Sequence, residues 1–287
     1  MILITGATGY LGAAVIENLL REVSPSEIAI YARDGKKAQR WEDLGLDIRI
    51  GDYDNEADIK NACLGIDKLL LIPVIARDAF LHHKNVIDVA IESGVKYLYF
   101  ASGAFDHSVE KSELGMLKNS FIRTENYLRQ TGIPHTIFHN GLFMDTIPIL
   151  IGEHLPINGI NFPSGHGKST FATMEDVSEA MAKLILKKND VSTTYVLTGN
   201  ESYSFIDVAN LLSDISGHEI LFLNSSEETF TAALVQAEAG ESQIALSKLF
   251  SRIIKNSEYA LCDRTLEQIL QRKPTTLKDY LQKTYLP

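Results

Sequence analysis

Cysteine is scarce in this sequence. Two residues, Cys63 and Cys262, in a chain of 287 are too few for a disulfide framework and are not spaced as metal ligands. Two semi-buried thiols in a reducing compartment are expected, with no disulfide and no zinc. Basic residues are also in deficit: 27 Lys and Arg stand against 37 Asp and Glu, a formal charge of -10. Such a charge repels phosphate backbones and anionic membranes unless a local basic patch overrides it, so neither nucleic acid nor a membrane is an expected partner. No stretch reaches the roughly 18 uninterrupted apolar residues of a membrane helix. The longest candidate, 68–73, has the length of a strand and ends at Pro73. Met1 to Ile4 run straight into a glycine-rich turn, which leaves no room for a targeting segment; the chain is expected to start within its fold and to be cytoplasmic. Low-complexity segments, internal repeats and long linkers are missing as well.

What is present is an ordinary globular composition, 45% hydrophobic and 22% charged. The first half alternates short β-branched or leucine-rich runs with helical patterns. Strands are predicted at 2–5, 28–32, 47–51, 69–73, 96–101 and 134–138, and helices near 10–22, 35–44, 55–63, 78–93 and 112–131. This rhythm predicts an α/β fold with a doubly wound parallel sheet of six strands. In the first helix, Leu11, Val15 and Leu19 form an apolar stripe while Glu17 and Arg21 face water. Beyond Asn140 and Gly141 the rhythm loosens into a segment rich in Gly, Pro and Asn, about 147 to 170. Further elements are predicted at 175–188, 193–198 (strand), 204–215, 219–224 (strand), 226–238, 243–256 and 264–271. Lys273 and Pro274 then stop the chain before a threonine N-cap and a last short helix.

Ile4 to Gly12 reads as a strand, a tight turn and a helix start. Gly6 permits the turn, Gly9 lets backbone N–H groups approach a pyrophosphate, and Gly12 allows the helix to pack close to the strand. Thr8, Tyr10 and Leu11 belong to the same expected dinucleotide contact. The second strand ends at Arg33, where an acidic residue would normally hold the ribose of NAD. Arg33 offers instead a charged planar fork for a 2'-phosphate, with Lys36 or Lys37 close behind, so NADP(H) is preferred over NAD(H). Asp34 either takes the ribose or caps the next helix. Asp52, after strand three, either accepts the adenine amino group or serves as a cap, and Asp54 or Asn55 caps the helix that follows.

Taken in order, Thr5 to Gly12, Arg33, Gly51-Asp52, Lys68 to Ile72, Ser102, Thr124-Glu125, Asn140-Gly141, Gly165 to Lys168, Leu197 to Gly199 and Lys273 to Thr275 follow a family pattern. The chain resembles the NmrA-like atypical short-chain dehydrogenase/reductases along its whole length, and within them the NADPH:quinone oxidoreductase type 2 branch. The resemblance implies an NADPH-binding Rossmann domain, here 1–146, and a smaller C-terminal α/β substrate lobe, 147–287, intermixed with the end of the sheet. It also implies, for members with activity, hydride transfer to small quinones. The wider superfamily carries a Tyr-x-x-x-Lys pair on the helix after strand five, where lysine and ribose lower the tyrosine pKa. None of the eleven tyrosines here has a lysine four residues on, and Leu114 stands where the acid would be.

The catalytic residue therefore stays unassigned, with Lys118 and Ser102 as weak candidates; Lys118 is either a ribose contact or a solvated helix lysine. Ser102 is also either a cofactor contact or a strand-end turn residue, and Asn140 is a further candidate for the cofactor. A flat electron-poor acceptor needs less acid/base help than a sugar carbon, because positioning both rings and excluding water can supply much of the rate. Its pocket should be apolar with few polar anchors. Phe105, Phe143, Met144 and Phe171 are candidates, each either core or site. His82 and His83 are adjacent on a helix and diverge, and His135 and His139 lack an accompanying carboxylate pattern, so no metal is expected. Gly165 to Lys168 reads as a turn near the substrate mouth. The expected activity is hydride transfer from NADPH to a small-molecule acceptor, a quinone or similar. A non-catalytic NADP-binding redox-sensing regulator is the alternative, with a nucleotide-sugar epimerase behind it. A homodimer is compatible with this reading.

Overall fold

The computed structural model describes residues 1–74, 79–105, 115–188 and 190–286. The first half alternates strands and helices: β1 (Ile2–Thr5), α1 (Tyr10–Leu19), β2 (Ile28–Ala32), α2 (Gly35–Asp43), β3 (Asp47–Ile50), α3 (Glu56–Ala62), β4 (Lys68–Leu71), α4 (Ala79–Glu92), β5 (Tyr97–Gly103), α5 (Gly115–Thr131) and β6 (His135–Asn140). The predicted starts of α4 and α5, at 78 and 112, lie outside the described residues. There follow β7 (Leu142–Phe143), α6 (Ile147–Ile151), β8 (Ile160–Asn161), β9 (Ser169–Ala172), α7 (Met174–Leu186) and β10 (Thr193–Leu197). The chain ends with β11 (Ser202–Tyr203), α8 (Phe205–Ser216), β12 (Phe222–Leu223), α9 (Glu227–Gln236), α10 (Glu241–Lys255), α11 (Thr265–Leu270) and α12 (Leu277–Tyr285).

The large sheet has the order β10-β6-β5-β4-β1-β2-β3. Strands β1 to β6 are paired in parallel, with Ile2 opposite both Ile28 and Lys68. Every residue of β1, β2 and β5 is buried, as expected where helices cover both faces of a parallel sheet. The strand order reverses between β1 and β4, the switch point at whose carboxyl ends doubly wound sheets bind ligands. Six strands were expected, and the structure adds a seventh: the chain returns after α7 to place β10 beside β6. On α1, Val15, Ile16 and Leu19 are fully buried while Glu17 and Arg21 are exposed. Asn18 is buried too, because its amide donates to the Ser178 hydroxyl and the Ala14 carbonyl, both at 3.0 Å.

Two units are distinguished. The first comprises Met1–Gly103, Met116–Asn140 and Val177–Val196; the second comprises Ala104–Gly115, Gly141–Asp176 and Leu197–Pro287. The expected boundary at 146 lies within the Gly141–Asp176 segment of the second unit, and the first unit takes back Val177–Val196 from the expected lobe. That unit holds a three-stranded sheet β11-β9-β7 and a two-stranded sheet β12-β8. The strand predicted over 219–224 is only Phe222–Leu223, since its partner β8 offers two residues. The predicted last helix is capped by Thr276, which accepts the Asp279 N–H at 3.1 Å. Both cysteines are free, but they are not alike: Cys63 is buried and Cys262 exposed. Burial raises the Cys63 thiol to about 11. Among the described residues no helix is long and apolar enough to cross a membrane.

Candidate functional site

The turn after β1 is built around backbone contact. Gly6 has φ +63° and accepts the Gly9 N–H at 3.0 Å, and α1 starts at Tyr10 without a side-chain cap. A Cβ on Gly12 would lie 2.3 Å from the Gly6 carbonyl oxygen, so helix and turn can meet this closely only through glycine. Thr8, Gly9 and Tyr10 are exposed and Leu11 is half-buried. The underside of the turn is pinned. Trp41 of α2 donates its indole N–H to the Ala7 carbonyl at 3.2 Å, and the Thr5 hydroxyl accepts the Ile72 N–H at 2.9 Å. Tyr53 is buried there as well. Burial raises its phenol pKa, against the opposing pull of bonds to Thr5 and Gly6 and the charge of Arg33.

Arg33 follows β2 and is exposed, as are Lys36 and Lys37. Asp34 accepts the Lys36 N–H at 2.9 Å and caps α2, which leaves the guanidinium of Arg33 as the group presented at the strand end. Asp52 is exposed; one carboxylate oxygen accepts the Asp54 N–H at 3.2 Å and its carbonyl accepts the Tyr31 hydroxyl at 2.9 Å. Asn55, not Asp54, caps α3, accepting from Ala57 at 3.0 Å and leaving Asp54 to meet His82 at 3.0 Å.

The carboxyl ends of β5 and β6 are joined by a side chain whose role the sequence reading left unassigned. Ser102 and His139 are register partners, and both meet the same oxygen of Glu125: the Ser102 hydroxyl donates at 2.6 Å and His139 Nε2 lies at 3.0 Å. Arg129 donates to the other oxygen at 3.0 Å. Burial pushes the Glu125 carboxyl up, but His139, Ser102 and Arg129 outweigh it and hold it below the ordinary carboxylate value. Since Ser102 and His139 both face the carboxylate, this is not a serine nucleophile with its base. Ser102 is buried and committed to Glu125. One residue beyond His139, the side-chain oxygen of Asn140 is buried without a hydrogen-bond partner among the described residues. Lys118 is buried, 7% exposed, and so is not the solvated helix lysine that was one reading of it. Leu114 lies outside the described residues.

His83, fully buried, bonds Thr124 at 2.9 Å, and burial lowers its pKa to about 4. His135 is tied to the Ile133 carbonyl at 2.9 Å. Among the described residues no group of three His, Cys, Asp or Glu could hold a metal.

The second unit has its own cavity of about 420 Å³. Met144 and Phe171 form part of its wall with Leu277 and Pro274, while Arg264, Lys273, Glu201 and Glu267 add charge. Two of the four expected pocket residues are thus together. The other two are elsewhere: Phe105 is buried with its ring 5.3 Å from that of Tyr259, and Phe143 is half-buried on β7, off the cavity wall. The Gly165 to Lys168 turn contributes Gly165 and His166 to a different cavity of about 370 Å³. Its Gly167 abuts the end of α10, where a Cβ would fall 2.0 Å from the Ile254 carbonyl oxygen.

The residues of the first unit fit a dinucleotide: a glycine turn that a Cβ on Gly12 would fill, an exposed cation at the end of β2, and an amide oxygen at the end of β6 without a partner among the described residues. Comparison with known proteins points the same way. Residues 1–281 match the model of the NmrA-like family. The chain is 32% identical over 283 residues to quinone oxidoreductase 2 of Escherichia coli, covering 97% of this chain and 96% of that protein. The crystal structure of an NADPH-dependent quinone oxidoreductase from Escherichia coli complexed with NADPH superposes with a TM-score of 0.87 at 30% identity, covering 99% of both chains. Triphenylmethane reductase of Citrobacter sp., complexed with NADP(H), gives 0.89 at 28% identity, covering 99% of this chain and 100% of the other.

Proposed function

Because this chain belongs to the NmrA-like family, we propose that the glycine cradle binds NADPH and that the protein is an NADPH-dependent oxidoreductase acting on quinones. The close approach of Gly12 to Gly6 carries the reading, since it leaves the N–H groups at the start of α1 open to a pyrophosphate. Bound NADPH supplies a hydride, which with one proton from solvent converts a quinone to its hydroquinone. Arg33 holds the 2'-phosphate by charge-assisted bonds, with Lys37 in support. Asn140 gives its unpartnered oxygen to a donor on the cofactor, and Glu125 fixes the strand end from which Asn140 projects. Asp52 can receive an adenine amino group with its second carboxylate oxygen.

The protein needs no side-chain acid for this reaction. Reduction of an electron-poor quinone is downhill, so orientation and exclusion of water supply the acceleration. We place the reaction in the cytoplasm, where both free thiols stay reduced. The charge of -10 favours a small-molecule partner over nucleic acid. Purified protein given NADPH and 1,4-benzoquinone or menadione should consume NADPH, followed at 340 nm. NADP-dependent binding of a protein partner with no turnover of any quinone would favour the regulatory alternative instead.

A further inference from the structure

We propose that Ser102, Glu125 and His139 form a clasp that positions the nicotinamide half of the cofactor, with Glu125 as the positioning residue that joins the carboxyl ends of β5 and β6. The proposal rests on the NADPH reading above and divides that site into two halves that can be weakened separately.

Within the large sheet, the order β6-β5-β4-β1-β2-β3 is that of two mononucleotide-binding halves, with a dinucleotide lying across the switch point between β1 and β4. The features that suit the adenosine half all lie on one side of that point: the glycine turn follows β1, Arg33 follows β2 and Asp52 follows β3. The nicotinamide half is left to the carboxyl ends of β4, β5 and β6. Ser102 stands at the end of β5, and His139 and Asn140 at the end of β6. With Glu125 and Arg129 of α5, all of them belong to the first unit.

One oxygen of Glu125 serves both strands, accepting the Ser102 hydroxyl at 2.6 Å and lying 3.0 Å from His139 Nε2, while Arg129 holds the other oxygen at 3.0 Å. A brace between helix and sheet does not call for a buried charge, since well-packed apolar side chains hold such elements at least as well. What the carboxylate adds is direction. Its oxygens set both strand ends at hydrogen-bond distance, and with them the register pair Gly103 and Asn140 one residue on. Adjacent strand residues face opposite ways, so with His139 turned to α5 the Asn140 amide is turned from it. The buried Asn140 oxygen has no partner among the described residues and calls for an N–H or O–H donor. The nicotinamide half offers such donors in its carboxamide and its ribose hydroxyls.

The test is calorimetric titration with NADPH and with 2',5'-ADP, which carries the adenosine half and its 2'-phosphate alone. In Glu125→Gln the Kd for NADPH should rise about tenfold, while that for 2',5'-ADP stays within about twofold of wild type. Ser102→Ala removes one donor and leaves the carboxylate paired; it should raise the Kd for NADPH about threefold, and it decides the matter where the glutamine variant does not fold. Asn18→Ala gives up buried hydrogen bonds to Ser178 and Ala14 elsewhere in the same unit. It should lower the urea midpoint and change neither Kd, which separates positioning from stability. Wild-type NADPH affinity in both clasp variants overturns the proposal, and so does an equal loss for both ligands, which would make the clasp a brace of the fold and nothing more. Wild-type protein that binds 2',5'-ADP as tightly as NADPH has no hold on the nicotinamide half, and this also overturns it. Wild-type protein that binds neither ligand refutes the NADPH reading itself, and the proposal falls with it.

Discussion

The indole N–H of Trp41 reaches back 34 residues in sequence to donate to the carbonyl of Ala7, 3.2 Å away and buried. The single tryptophan of the chain thus holds the glycine turn from below. Trp41→Phe keeps most of the packing and removes the donor, leaving a buried carbonyl unpaired. Urea unfolding should show a loss of about 1 to 3 kcal/mol. NADPH titration should show weaker binding than wild type under conditions where both are folded; an unaltered Kd would mean that the turn does not depend on this bond.

Gly12→Ala places a methyl group 2.3 Å from the Gly6 carbonyl oxygen, a distance that forces the helix and turn apart. NADPH affinity should fall by more than about tenfold, roughly the loss of one charge-assisted hydrogen bond to the pyrophosphate. Far-UV circular dichroism checks that the variant is folded, and fluorescence titration reads the affinity. Wild-type affinity in the alanine variant would exclude the turn as the pyrophosphate site.

Arg33→Ala discriminates between the two cofactors. Charge-assisted bonds to a 2'-phosphate are worth about 1.5 to 3 kcal/mol, so the Kd for NADPH should rise tenfold or more, by roughly 1.4 kcal/mol per decade, while that for NADH changes little. Equal weakening of both would remove the 2'-phosphate from Arg33.

Glu125 offers a stability test. Glu125→Ala removes the carboxylate that Ser102, His139 and Arg129 share, and should destabilise the fold by about 3 to 5 kcal/mol, as losing one partner of a buried charge cluster does. Its carboxyl is held below the ordinary value, so its stabilisation is present at neutral pH and is lost as pH falls through the folded-state pKa. Denaturant midpoints measured from pH 7 down to pH 3 should therefore converge between wild type and Glu125→Ala.

His83 titrates in a different window. Its pKa is lowered to about 4 by burial, so between pH 6.5 and 4 the unfolded chain binds a proton that the folded chain does not. This contribution is complete above about pH 6.5 and declines as pH falls toward 4, by up to roughly 3 kcal/mol. His83→Asn should flatten that part of the stability curve. A wild-type curve already flat from pH 7 to 5 would contradict the assignment.

Much of the fold was legible because its signals are local or periodic. Strands buried on both faces, such as Ile28–Ala32, read as continuous apolar runs, and the glycine turn sits where strand periodicity changes to helical. The tenth strand was legible as a strand but not as the seventh member of the sheet, because only the turn of its residues toward burial at Leu197, and not its sheet partner, is written locally. Glu125 was visible as part of the Thr124-Glu125 landmark of the family pattern, yet its task was not, since Ser102 and His139 are 23 and 14 residues away. Phe105 and Phe171 have the same composition signal. Packing against Tyr259 buries the first, while a cavity opens beside the second.

The sequence by itself determined the turn at Gly6, Gly9 and Gly12 and the cation at Arg33, because backbone conformation is settled within a few residues, while Asp34 was left open between ribose contact and cap. Tertiary structure alone decided what supports the site: Trp41 beneath Ala7, and Glu125 between β5 and β6. Those contacts join residues distant in sequence, and their partners are selected by the geometry of the packed elements rather than by any local pattern.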